Sequence, residues 1–86
     1  SQEVLDVELA GYRIISELLE TLIEAVSNPT KAYSKQILNR IPSQYDIHSE
    51  LLYNRIQAVL DYISGMTDVY ALDLYRKING MSLPEL

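Results

Sequence analysis

The chain offers one imidazole, His48, and no cysteine. Metal-dependent phosphoryl chemistry gathers several His and Asp ligands at one point. A two-histidine ligand set therefore cannot be built from these residues, and His48 reads as a helix-start or surface residue. Nucleophilic triads fail on the same count. Asp61 and Asp68 stand seven apart with Gly65 between them. Across that joint the two carboxylates need not point the same way, so nothing in the spacing supports a paired acid/base site. Gly11, Gly65 and Gly80 are too dispersed to cradle a phosphate. The expectation is that this stretch holds no catalytic residue and no metal ligand.

Two features remain. Gly65-Met66-Thr67-Asp68 joins two amphipathic runs and has two readings. As a helix–helix corner, Gly65 permits the backbone angle and Met66 fills the gap. Thr67 caps the next helix, and Asp68 sits in its first turn, where the helix dipole favours a carboxylate. As a functional element, the same corner braces or lines a substrate or allosteric pocket completed by residues of a larger protein. Arg76 and Lys77 are the second feature, with charge suited to a nucleotide phosphate. They also stand at i+3 and i+4 from Asp73, which suits surface ion pairs.

The elements that must position these residues follow from apolar spacing. Residues 4–9 alternate weakly, with Leu5, Val7 and Leu9 against Asp6 and Glu8. This is compatible with a short extended segment and equally with a frayed helix start; Gly11 punctuates it. Residues 10–26 read as a helix. Ile15, Leu18, Leu19, Leu22, Ile23 and Val26 form one stripe, opposite Arg13, Glu17, Glu20 and Glu24. Ser27-Asn28-Pro29 ends it. Thr30 suits the N-cap of a short second helix to about residue 39, which Pro42 closes, and residues 43–47 read as a loop.

A third helix is expected over about 49–64, with Ser49 or His48 near its cap. Its stripe is Leu52, Ile56, Val59, Leu60 and Ile63, flanked by Tyr53 and Tyr62. A fourth covers about 68–79, with Lys77 in its last turn and Gly80 suited to a left-handed C-terminal position. Its main face is Ala71, Leu74, Tyr75 and Ile78. Val69, Leu72 and Arg76 make a second, smaller patch, and two faces suggest burial on both sides. The fold class is all-α, a small bundle of three to four helices, with residues 1–86 as a single domain.

Composition sets limits. Eighty-six residues bury only about 60% of the unfolded surface, and no disulfide staples them. Nearly half the residues are apolar, which excludes disorder. No apolar run reaches the roughly 20 residues of a membrane span. A net charge of −5 lacks the basic footprint of an autonomous nucleic-acid binder. The absence of cysteine fits a cytoplasmic setting, and a start at Ser1 suits a fragment of a longer protein. The aromatic set is seven tyrosines, with no Phe or Trp. Tyrosine favours boundaries that are apolar on one side and polar on the other. These rings either surround a small core or face a larger body.

The string Asp61-Tyr62-Ile63-Ser64-Gly65-Met66-Thr67-Asp68, followed by Ala71-Leu72-Asp73-Leu74-Tyr75-Arg76, resembles the C-terminal region of bacterial dGTP triphosphohydrolases of the HD superfamily. Glu8-Leu9-Ala10-Gly11-Tyr12 and the helix after it look like the segment that family places behind its catalytic core. The resemblance covers most of the chain, except the generic residues 27–48. It implies a parent that cleaves a deoxynucleoside triphosphate, typically dGTP, to the deoxynucleoside and triphosphate. It further implies a divalent metal, Mg or Mn, held by His and Asp ligands of the parent, none of which matches a position here. Only Gly65, Met66, Thr67 and Asp68 map onto the family, as structural residues.

The implied partners are the HD catalytic core of the parent chain, the parent's dNTP substrate and further copies in a homo-oligomer. Neither a membrane nor nucleic acid is expected to bind this piece. Two other readings stay open. One is an independent helical interaction module using exposed apolar patches. The other is an acidic nucleotide-sensing domain, supported only by Arg76 and Lys77.

Overall fold

The computed structural model describes the backbone of residues 2–81 and the side chains of residues 11–81. Among the described residues there are four helices and no strand: α1 (Gln2–Ser27), α2 (Ala32–Leu38), α3 (Leu52–Ser64) and α4 (Asp68–Asn79). α1 is the axis of the fold, and α2, α3 and α4 each pack against it. The molecule measures 46 × 34 × 17 Å. Helices pack about 8–10 Å apart, so the shortest dimension holds two helix layers.

α1 begins earlier than its apolar stripe suggests. Residues 4–9 are helical backbone, which corrects the extended N-terminal segment, and Gly11 lies inside the helix instead of interrupting it. An extended segment would need a strand partner, whereas extending an existing helix adds a hydrogen bond with each residue. The alternation of Leu5, Val7 and Leu9 concerns side chains outside the described residues. Further along, Leu18, Leu22, Ala25 and Val26 are buried, with Ile15, Leu19 and Ile23 half-buried at the rim. Asn28 closes the helix. Its N–H reaches the Glu24 carbonyl at 3.0 Å and its side-chain amide reaches the same carbonyl at 3.1 Å.

Two expected caps are absent. α2 starts after Lys31, with no side-chain cap; Thr30 lies one residue too early, within a turn closed by Lys31 N–H on the Asn28 carbonyl. α3 starts after Leu51, not at Ser49 or His48. The Ser49 hydroxyl instead accepts from Leu51 N–H and from the Asn54 amide, both at 3.2 Å.

Arg55 holds this junction. Its Nε donates to the Val26 carbonyl at 2.9 Å, and its Nη1 donates to the carbonyls of Ser49 at 2.7 Å and Glu50 at 3.1 Å. The Val26 carbonyl belongs to the last turn of α1, where no intrahelical donor remains. Arg55 therefore ends one helix while standing on another. The connection between α2 and α3 contributes Ile41 and Ile47 to the core.

α3 is rotated from the expected face. Ala58, Val59 and Tyr62 are buried, Ile56 and Ile63 half-buried, and Leu52 and Leu60 exposed. Tyr62 takes a central place because its hydroxyl has a partner, described below. α4 agrees with expectation in bounds and face, burying Ala71, Leu74 and Ile78. The Tyr75 hydroxyl donates to Glu17 Oε1 at 3.0 Å and ties α4 to α1. Gly80 is not left-handed, with φ −85° and ψ −4°. A Cβ there would stand 3.1 Å from the Arg76 carbonyl oxygen, so close approach, not handedness, suits glycine.

Candidate functional site

The corner at residues 65–68 turns the chain from α3 into α4. Gly65 closes α3 at φ −90° and ψ 0°, a conformation open to any residue. A Cβ there would meet its neighbours at 3.8–3.9 Å, ordinary contact. The expectation that Gly65 supplies a special backbone angle is therefore corrected. Met66 is half-buried against the core, as a gap-filler should be. Thr67 Oγ1 accepts the Tyr70 N–H at 3.1 Å, a side-chain N-cap, and Asp68 lies in the first turn of α4.

Three tyrosines gather beside this corner. Tyr62 from α3, only 3% exposed, meets Tyr70 from α4 through their hydroxyls at 2.7 Å. Those two rings stand edge to face, with centroids 6.0 Å apart at 84°. Tyr45, carried in by the connection after α2, lies 5.1 Å from Tyr62 at 48°. Burial, then the hydrogen bond and charge coupling to Tyr70, then Tyr45, push the Tyr62 hydroxyl well above the ordinary tyrosine range. It stays protonated at any physiological pH. The rings, with Pro42, Gln44 and the corner residues 65–67, line a cavity of about 160 Å³. A neighbouring groove of about 260 Å³ shares Gln44 and Tyr45 and adds Asp46, Asn54, Gln57 and Asp61.

The two cationic candidates lie apart from the corner. Lys77 Nζ pairs with Asp73 at 2.9 Å, with both side chains more than half exposed. Lys77 shares a separate groove with Arg40 and Tyr70, and Arg76 is exposed. They stand eight and nine residues beyond Asp68 on one helix, about 12–14 Å along its axis. His48 is exposed. Among the described residues, no three His, Asp or Glu side chains are placed to hold a metal ion. The divalent metal implied for the parent finds no fitting ligand set among the described residues. No helix among them is long and apolar enough to cross a membrane.

In the sequence Tyr62 reads as a flank of the third helix's stripe, and Tyr45 and Tyr70 only as members of the tyrosine set. The available signal was the pairing of Tyr62 and Tyr70 across the corner. Tyr45 gave none, because a loop brings it there.

These features define a four-helix domain whose described residues hold no group of three metal-ligating side chains. The chain belongs to the phosphohydrolase-associated domain family, whose model matches residues 1–77. It is 38% identical over 96 residues to a deoxyguanosinetriphosphate triphosphohydrolase-like protein of Listeria monocytogenes. That alignment covers 92% of this chain and 21% of the relative. A deoxyguanosinetriphosphate triphosphohydrolase of Yersinia enterocolitica is 29% identical over 107 residues, covering 88% and 21%. The chain thus spans about a fifth of the length of these relatives. Both alignments are longer than this chain, so the relatives carry insertions relative to it. No solved structure matches.

Proposed function

We propose that this chain is the C-terminal helical part of an HD-superfamily deoxynucleoside triphosphate triphosphohydrolase. Its task is to pack against the catalytic body and complete its fold, and subunit contacts in a homo-oligomer are a second use of the same surface. The parent converts dGTP to deoxyguanosine and triphosphate with a divalent Mg or Mn ion held by its own ligands, in the cytoplasm.

The observation that carries this reading is an apolar surface left open by a family member only two helices thick. Leu51, Leu52, Tyr53 and Leu60 on and before α3, Val69 on α4 and Tyr12 on α1 are all exposed. Val69, at 79% exposure, and half-buried Leu72 belong to the second face of α4. Taken together, these exposed apolar side chains support packing against a larger body. With one histidine, the chain supplies shape and packing, and the metal ligands come from elsewhere in the parent.

The test compares triphosphate release from dGTP, with Mg²⁺ or Mn²⁺, by the full-length parent and by the 86-residue chain at equal concentration. Release by the parent alone is expected. Release by the isolated chain would defeat the proposal, as would a parent inactive on every deoxynucleoside triphosphate.

A further inference from the structure

We infer that the tyrosine pocket beside the corner is a socket for a basic side chain, a guanidinium or alkylammonium group carried by the protein body against which this domain packs. The inference rests on the reading just given for that body. Tyr45, Tyr62 and Tyr70 place three rings on a cavity of about 160 Å³. Their interplanar angles of 48° and 84° make them walls meeting at steep angles, not a stack. Tyr62 is buried, so Tyr45 and Tyr70 offer the accessible ring surface; a ring face carries negative potential, and a cation within about 6 Å of a ring centroid is attracted to it. The hydroxyl–hydroxyl bond between Tyr62 and Tyr70 fixes two of the walls relative to each other, so the socket is formed before anything enters it.

The adjoining groove supplies the matching charge. It shares Tyr45 and Gln44 with the pocket and holds Asp46 and Asp61. No lysine or arginine lines either cavity. Among the described residues neither aspartate has an ion-pair partner. An anionic ligand would be repelled here, and a neutral apolar one would leave both carboxylates without a countercharge, since Asp61 Oδ1 accepts only from the neutral Gln57 amide, at 3.3 Å. A cation entering over Tyr45 satisfies the rings and the carboxylates together. The corner then has a use beyond turning the chain: Met66 and Thr67 form part of the pocket wall, and the Thr67 cap sets the start of the helix that carries Tyr70.

The test titrates N-acetyl-arginine-N-methylamide into the 86-residue chain while tyrosine ring signals are followed by NMR. The citrulline analogue, alike in shape and without charge, is the comparison. Saturable shifts centred on Tyr45 and Tyr70 are expected, with roughly five-fold weaker binding of the citrulline compound. Replacing both exposed aspartates (Asp46→Asn with Asp61→Asn) should weaken the arginine compound by about two- to five-fold. Tyr45→Phe, which keeps the ring, should retain binding, and Tyr45→Leu should lose it. Equal response to both compounds, or no saturable shift on these rings with the arginine compound, would overturn the inference. Turnover of dGTP is not read in this experiment, so a failed titration leaves the proposed function standing, and an inactive parent leaves the pocket result standing.

Discussion

Replacing Arg55 with methionine removes three hydrogen bonds while keeping most of the apolar stem. The bonds run to the carbonyls of Val26, Ser49 and Glu50 at 2.9, 2.7 and 3.1 Å. A hydrogen bond to a charged group is worth about 1.5–3 kcal/mol, and an acceptor left unmet in the interior costs about as much. Arg55 is half-buried, and the contact with Glu50 is exposed, so water takes over part of the loss. A net cost of about 2 kcal/mol follows for Arg55→Met. In a domain of this size 1 kcal/mol moves the melting temperature by about 4–8 °C, so the expected drop is about 8–16 °C. Arg55→Lys keeps the charge, but a single ammonium cannot span all three carbonyls; about half the drop is expected. Thermal and urea unfolding followed by circular dichroism measure both. If Arg55→Met unfolds within about 0.5 kcal/mol of the unsubstituted 86-residue chain, the clamp between α1 and α3 does not hold the fold together.

Three further outcomes follow from other parts of the fold. The Tyr62 hydroxyl is pushed upward by burial and by Tyr70, so folding favours its protonated form. Its contribution is full below the unfolded tyrosine value of about 10 and is lost as pH rises beyond it. The urea midpoint should therefore fall between pH 8 and pH 11, and the fall should be smaller in Tyr62→Phe. Thr67→Ala removes the side-chain cap on Tyr70 N–H and should cost about 1 kcal/mol, measured by urea unfolding. Leu22→Ala, at a fully buried position, should cost about 3–5 kcal/mol and leave the chain largely unfolded near 37 °C, visible as loss of helical signal.

The parts of the fold legible in the sequence are those fixed by neighbouring residues. α4 is the clearest case: Thr67, Asp68 and Lys77 mark its ends within one turn, and Ala71, Leu74 and Ile78 mark its inner face. α1 is clear from its stripe onward, whereas the weak pattern before Gly11 leaves an extended segment and a helix start equally open, and the backbone there is helical. α3 shows where periodicity runs out. Its apolar residues cover so wide an arc that spacing cannot say which part meets α1, and Leu52 and Leu60 belong to the expected stripe yet are exposed. The missing fact was that the hydroxyl of Tyr62 meets Tyr70, which removes the cost of burying it. Arg55 and Tyr45 were invisible for a related reason. One acts on a carbonyl 29 positions away and the other arrives on a loop, and neither leaves a mark in local spacing. The corner string, the most specific part of the family resemblance, is a capped turn with an aromatic pocket at its side.

The central claim is that the outer apolar surface of this domain is covered by the body of a longer enzyme. Tyr12 and Tyr53, each 76% exposed in this chain, report on it directly. Tyrosine iodination read by mass spectrometry should modify both rings readily in the 86-residue chain and leave at least Tyr53 strongly protected in the full-length protein. Equal modification of both rings in the two proteins would contradict the claim.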